Sequence, residues 1–396
     1  MFEDLEALPA DAILGLIDAF AEDPNPSKVD LGAGVYKNED GHTPIPAAVK
    51  AAERLRLKGE TTKAYQGPAG DLVFIDAIER FLLGDSHPAL AEGRVRSVQT
   101  PGGCGALRVA AELIRRARPQ ARVWASTPTW ANHRPLIGTA GLAIEDYPYY
   151  DQASHGVRFE AMAQALERLG PRDVVLLHGC CHNPCGADLG REQWPAIAAI
   201  AARRGFLPFV DIAYHGLADG IEEDAFGVRL LARSVPECLI AYSCSKNFGL
   251  YRDRIGAVSV VGAGAAQAAA AATQMNSITR TIYSMPPAHG AAVVATILGR
   301  DDLKRSWLEE LAGMRRRIND LRALLADALG RRDTGRDFDY LRRHRGMFSF
   351  LGISPEQVRR LRAEYSVYAV DSSRINVAGV SRANVEYLAD AVAAVL

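Results

Sequence analysis

Apolar and β-branched residues come in short unbroken runs through the middle of the chain. Arg122-Val-Trp-Ala-Ser, Asp173-Val-Val-Leu-Leu-His, Leu207-Pro-Phe-Val-Asp and Cys238-Leu-Ile-Ala-Tyr-Ser lack the alternation of a half-exposed strand. Such runs predict strands covered on both faces. Amphipathic stretches such as 106–116 and 193–204 separate them. Strands alternating with helices predict an α/β large domain, a mostly parallel sheet with helices on either side. The last quarter follows a different rhythm. Apolar residues at 303, 307, 311, 314, 318, 321 and 325 have the three-four spacing of one long helix, expected to bridge two domains. A strand over 346–351 follows. The next helix opens at Ser354-Pro-Glu-Gln, a capping box with proline at the first helical position. Two further runs, 367–370 and 374–377, read as strands, and a helix closes the chain. This predicts a smaller α+β domain, against which the opening residues are expected to pack.

The chain has 396 residues, with 46 basic side chains against 47 acidic, and 48% of its residues are apolar. That is the composition of a globular protein of two or three domains. The charge balance leaves no bulk field for nucleic acid or an anionic membrane, so any bound anion must be held by a few placed groups. Residues 255–279 carry no charge, but alanine and glycine dominate them and Gln267, Gln274 and Asn276 interrupt them, so no membrane span is expected. The opening Met1-Phe-Glu-Asp-Leu-Glu is acidic where a secretory signal would be basic. Cysteines stand at 104, 180, 181, 185, 238 and 244, mostly within apolar runs. A reducing, cytoplasmic setting is expected, with all six thiols unpaired.

Three segments carry candidate chemistry. Pro101-Gly-Gly-Cys-Gly-Ala-Leu runs straight into a helix and would aim free N–H groups at an anion, although such a cluster can equally be a tight turn. Lys246, in Ser243-Cys-Ser-Lys-Asn-Phe directly after a strand, could lose its proton easily and form a Schiff base with a carbonyl; alone it reads as well as a surface lysine. Arg254 offers a guanidinium suited to phosphate. The third segment, His178-Gly-Cys-Cys-His-Asn-Pro-Cys-Gly, invites a metal reading. Structural zinc sites draw on two separated knuckles, however, and Cys180 and Cys181 are expected to point apart on a strand, so no metal is assigned. Asp211 and Tyr214 fall at a strand end, where sites form in open α/β sheets.

Together these segments are far more specific than any one of them. With Gly34-Val-Tyr-Lys, Thr100-Pro-Gly-Gly, Asp211-Ile-Ala-Tyr, Ser245-Lys-Asn-Phe-Gly-Leu-Tyr, Tyr283-Ser, Pro286-Pro-Ala-His-Gly and Arg374-Ile-Asn-Val-Ala-Gly, the chain resembles the class I aspartate and aromatic aminotransferases from Met1 to Leu396. These are pyridoxal-phosphate enzymes of fold type I, and the bacterial aspartate branch is the nearest match. The resemblance implies an arm and part of the small domain over 1–44, a large cofactor-binding domain over 45–313, and a C-terminal small domain over 314–396. It implies that Lys246 holds pyridoxal 5′-phosphate and moves the proton at Cα. Asp211 would face the pyridine nitrogen, with His133 behind it, Tyr214 and Asn183 at the ring oxygen, and Trp130 stacked on the ring. The phosphate would lie on Gly103 and Cys104, with Ser243, Ser245 and Arg254 around it. Arg374 would clamp the substrate α-carboxylate near Gly34. The implied assembly is a homodimer in which Tyr65 and Arg280 reach the neighbour's site, Tyr65 to the phosphate and Arg280 to a side-chain carboxylate. Cis peptides at Thr127–Pro128 and Asn183–Pro184 are also implied.

Departures from the family pattern bear on selectivity. Cys104 replaces the hydroxyl residue usual at the phosphate, and a thiol is the weaker donor. Cys185 replaces a threonine in the Asn-Pro-Thr-Gly turn, and His215 a glutamine. Ala33, Ala64 and Met285 stand where larger aliphatic or amide side chains are usual in the aspartate branch, while Val35, Lys37 and Thr43 follow that branch. An aspartate frame with an enlarged, deformable pocket is therefore expected. The activity expected is ping-pong transfer of an amino group between an aspartate- or glutamate-type donor, and aromatic donors too, and a 2-oxo acid such as 2-oxoglutarate. The alternatives are a dedicated aromatic or specialised biosynthetic aminotransferase, a lyase or decarboxylase on the same cofactor, and a metal protein built on the cysteine cluster.

Overall fold

The apolar runs lie side by side in one sheet. The computed structural model describes residues 1–8 and 12–396. Its strands are β1 (Val29–Asp30), β2 (Val95–Pro101), β3 (Arg122–Thr127), β4 (Ala143–Pro148), β5 (Asp173–His178), β6 (Leu207–Ile212), β7 (Cys238–Ser243), β8 (Ile255–Val261), β9 (Phe348–Phe350), β10 (Val367–Tyr368) and β11 (Arg374–Asn376). Seven of them form the central sheet in the order β2-β8-β7-β6-β5-β3-β4. β4, β3, β5, β6 and β7 are parallel, and β8 runs antiparallel to both its neighbours.

The unbroken runs follow from burial on two faces. Val174, Leu176 and Phe209 point into one core cluster with the helix Gly102–Ala117, while Val175, Leu177 and Val210 point into another with the helix Gln193–Arg204. Each such aliphatic side chain contributes about 1.5–3 kcal/mol on burial. The former helix starts four residues before the expected 106, because Gly102 takes φ +73 and turns the chain directly out of β2.

The long helix spans Asp301–Gly330. Leu303, Trp307, Leu311 and Ile318 belong to the core beside the sheet, and Leu321, Leu325 and Leu329 to a separate C-terminal core. The two runs after residue 366 are shorter than expected and do not pair with each other. β10 pairs in parallel with β1, placing Val29 opposite Val367, and β11 pairs antiparallel with β9, placing Arg374 opposite Phe350. A run of apolar residues announces a strand but not its partner.

The opening residues correct one expectation. Met1, Phe2, Leu5 and Leu8 are exposed. Packing on the C-terminal unit starts further along, where Phe20 meets Tyr368 edge-on at 5.5 Å and Tyr368 donates to Asp23 Oδ2 at 2.7 Å. One chain supplies no core for the first eight residues to enter. The uncharged stretch from 255 divides into the buried β8 and the helix Ala265–Ile282. Among the described residues no helix is long and apolar enough to cross a membrane. Both X-Pro peptides, Thr127–Pro128 and Asn183–Pro184, are cis, and all six cysteines are free.

Candidate functional site

The loops leaving the C-terminal ends of β2, β3, β5, β6 and β7 converge on a cavity of about 270 Å³, the edge at which parallel sheets place their sites. Its anion end is made of backbone. The helix Gly102–Ala117 has no side-chain cap, so the N–H groups of its first turn, at Gly103 and Cys104, remain free to meet a ligand. Space there is tight: a Cβ on Gly103 would sit 3.1 Å from Ser243 Cβ, and one on Gly102 would strike the Arg254 guanidinium. Arg254 Nη1 donates to Tyr251 O at 2.9 Å and to Ser245 Oγ at 3.3 Å. Cys104 has a weak partner, Asn132 Nδ2, at 3.9 Å.

At the centre, β6 ends by presenting Asp211 and the next loop presents Tyr214. His133 Nε2 lies 3.0 Å from Asp211 Oδ2, and Thr129 Oγ1 lies 2.8 Å from His133 Nδ1. Burial pulls the Asp211 carboxyl upward, but the His133 hydrogen bond, with the electrostatic influence of His133, His178 and Lys246, holds it below the usual carboxylate range. The anion is thus kept in a dry setting. Lys246, from the turn after β7, has Nζ 4.7 Å from the centre of the Tyr214 ring. Burial lowers its ammonium below the ordinary lysine value, with Asp211 working the other way. Burial also pushes the Tyr214 phenol up, against the influence of Arg374. Trp130 lines the cavity and meets His133 edge-on at 5.3 Å.

The opposite wall comes from the C-terminal unit. Arg374 on β11 is buried, donates to Gly32 O at 2.8 Å and reaches Asn183 Oδ1 at 3.5 Å. Its guanidinium lies 4.4 Å from the Phe348 ring centre, and that ring packs against Gly34. Among the described residues Arg374 Nε is buried without a hydrogen-bond partner. Desolvation weakens the guanidinium's hold on its proton, with Tyr214 opposing. A carboxylate bridging this fork would satisfy it.

The cavity therefore gathers Gly34, Gly103, Cys104, Trp130, Asn183, Asp211, Tyr214, Ser243, Ser245, Lys246, Arg254 and Arg374. His133 stands one hydrogen bond behind it. Tyr65 (95% exposed) and Arg280 do not line it, and Arg280 is held outside by Ser284 Oγ. Phe348 and His178 line it without having been singled out as site residues. No local signal marks Phe348, because the group its ring meets, the Arg374 guanidinium, lies on a different strand.

The cysteine segment corrects a second expectation. β5 stops at His178, and Cys181 takes φ +53, so the two cysteines do not lie apart on a strand. Their thiols and the Asp224 carboxylate lie within 4.8 Å of one another. That carboxylate accepts N–H groups from Gly216, Ala218, Asp219 and Gly220, and burial pushes the Cys181 thiol up to about 12. A carboxylate so engaged serves the packing of the turn. Cys185 Sγ lies 3.1 Å from His182 Nδ1, and His215 Nε2 lies 2.8 Å from Ile221 O, both buried.

The family model described as aminotransferase class I and II matches residues 26–392. The aspartate aminotransferase of Salmonella typhi is 47% identical over the whole of both chains. An aromatic-amino-acid aminotransferase of Pseudomonas aeruginosa is also 47% identical, covering 100% of this chain and 98% of its own. In structure, the chain is similar to an aromatic-amino-acid aminotransferase from Burkholderia pseudomallei covalently bound to pyridoxal phosphate. There the TM-score is 0.97 and the identity 42%, with 100% and 99% of the two chains covered.

Proposed function

Since this chain belongs to the class I and II aminotransferases, we propose that it uses pyridoxal 5′-phosphate to transfer amino groups between dicarboxylic amino acids and 2-oxo acids, accepting aromatic donors as well. The observation that carries this reading is one cavity holding a lysine amine, a buried carboxylate and two anion sites of different construction. The residues fit the cofactor. Its phosphate suits the uncapped helix start beside Ser243, Ser245 and Arg254, where a Cβ on Gly102 or Gly103 would intrude. Arg374 Nε, unpartnered among the described residues, suits a substrate carboxylate.

Bound there, pyridoxal phosphate supplies the electron sink that lets the substrate Cα–H bond ionise. Asp211 would hold a proton on the ring nitrogen, its own charge kept in place by His133. Lys246 would hold the cofactor through Nζ between turnovers. When free, Nζ would be the base placed to take the substrate Cα proton and hold it for return. The lowered lysine value favours that role, because the free amine exists closer to neutral pH. Tyr214 and Asn183 would bind the ring oxygen, and Trp130 would cover the ring face. Arg374, with the Gly34 backbone nearby, would orient the amino acid by its α-carboxylate.

The exposed Tyr65 and Arg280 support a homodimer in which each subunit completes its neighbour's site, Tyr65 at the phosphate and Arg280 at a side-chain carboxylate. The two cores sharing the helix Asp301–Gly330 support the division into an arm with part of the small domain (1–44), a large domain (45–313) and a C-terminal small domain (314–396). Six free thiols support a cytoplasmic setting. Broad donor choice is supported by Ala33, Ala64 and Met285, and by equal identity to relatives named for aspartate and for aromatic amino acids. The test is kcat/KM for aspartate, phenylalanine and tyrosine with 2-oxoglutarate. Aspartate and aromatic donors all inert, with another amino acid reacting well, would replace this reading with a dedicated biosynthetic one.

Two substitutions probe the two ends of the site. Arg280→Leu is expected to remove about 2–5 kcal/mol of transition-state binding for aspartate, seen as a fall in kcat/KM, with a much smaller fall for phenylalanine. Equal losses for both donors would take the side-chain carboxylate away from Arg280. Cys104→Ser restores a stronger donor at the phosphate and should tighten cofactor binding about fivefold, the equivalent of about 1 kcal/mol. Equilibrium dialysis of the apoenzyme against pyridoxal phosphate measures it, and unchanged or weaker binding would deny the Cys104 contact.

A further inference from the structure

Arg322 lies on the inner side of the long helix and is 1% exposed. Among the described residues its hydrogen bonds all end on neutral oxygens. Nη1 donates to Ser349 Oγ at 2.6 Å and Leu341 O at 3.4 Å. Nη2 donates to Gly346 O at 2.5 Å, Phe348 O at 2.7 Å and Arg345 O at 3.2 Å. Burying a guanidinium in this way is costly, and only the rigid planar fork reaches so many acceptors at once. Its effect is to fix the backbone of 345–348.

That short segment touches both halves of the substrate end. On one side it is wedged against the turn that carries Asn183. Arg345 N donates to Gly186 O at 2.8 Å, a Cβ on Gly346 would lie 2.7 Å from Cys181 Sγ, and a Cβ on Gly186 would strike the Phe348 carbonyl. On the other side, β9 sets Phe350 opposite Arg374, and the Phe348 ring lies 4.4 Å from the Arg374 guanidinium. Arg374 Nη1 closes the circuit at Asn183 Oδ1.

We infer that Arg322 is a positioning residue for the amino-acid carboxylate: it fixes the 345–348 backbone that sets Phe348 and, through it, Arg374 against Asn183. The inference rests on the reading of Arg374 as the carboxylate clamp. A group that acts only through the clamp should change substrate affinity and leave the proton transfer at Lys246 nearly untouched.

The experiment compares holoenzymes of the unaltered chain, Arg322→Lys, Ser349→Ala and Arg374→Leu. Ser349→Ala removes one acceptor of Arg322 and is the milder change if Arg322→Lys does not fold. Succinate, a dicarboxylate with no amino group to transfer, is titrated by its effect on cofactor absorbance, and KM, kcat and retained cofactor are measured beside it. Arg322→Lys should weaken succinate and raise the donor KM roughly tenfold, and Ser349→Ala roughly threefold, with kcat within about threefold and cofactor retained. Folded variants with unchanged succinate affinity and KM, having lost only thermal stability, would overturn the inference while Arg374→Leu still weakens succinate. If Arg374→Leu leaves succinate binding unchanged, the clamp reading fails and the inference falls with it.

Discussion

Lys246→Ala is expected to lower kcat by at least roughly 10⁴-fold, the upper range for a positioned acid–base group, because no other amine lines the cavity among the described residues. The loss should be specific to chemistry. Arg254, Ser243, Ser245 and the helix start are untouched, so the variant should still retain pyridoxal phosphate without covalent attachment. Borohydride reduction followed by mass measurement separates the two states: the unaltered chain keeps the mass of the reduced cofactor, and Lys246→Ala does not. In the apoenzyme, the burial that lowers the Lys246 ammonium should let cofactor capture reach its plateau below the pH at which an exposed lysine would do so. Covalent attachment in Lys246→Ala, or activity within tenfold of the original, would remove Lys246 from its role.

Asp211→Asn keeps the shape of the side chain and removes its charge. His133 would then face a neutral amide at 3.0 Å instead of a carboxylate. Losing the buried carboxylate that would pair with a protonated ring nitrogen costs about 3–5 kcal/mol, which in kcat/KM corresponds to roughly 10²–10⁴-fold. The loss should appear with every donor alike, since Asp211 would serve the cofactor and not the substrate side chain, and steady-state kinetics with aspartate and phenylalanine would show it. A second signature is thermodynamic. The folded-state value of Asp211 is lowered, so the stability it adds is fully present above the ordinary carboxylate range and disappears as pH falls through the lowered value. Thermal melts taken from above the ordinary carboxylate range down to about pH 2 should therefore show a flatter acid limb for Asp211→Asn. A variant that lost only aspartate activity would contradict the assignment.

The inner strands of the sheet were legible because both faces of each are buried, which writes β5, β6 and β7 as apolar runs. The edge strands were not. β4 carries Glu145 and Asp146 and β2 carries Arg96, and both show mixed burial. The cofactor end was legible because it is built locally, by a glycine-rich helix start and by residues that closely follow strand ends. The substrate end depends on long-range approach: Arg374 donates to Gly32 O across 342 positions. Its pairing with Phe348, and the bracing of both by Arg322, has no local signature. The adjacent cysteines were misread because the strand stops at His178 and Cys181 takes a left-handed conformation.

The two ends of the cavity differ in what evolution can alter. Donors at the helix start are main-chain N–H groups, which every residue except proline possesses, so a side chain there can drift, as Cys104 shows, while the anion keeps its seat. The carboxylate end is made of side chains, each a separate codon. Selectivity can therefore wander without endangering the chemistry, and equally distant relatives can carry aspartate and aromatic names.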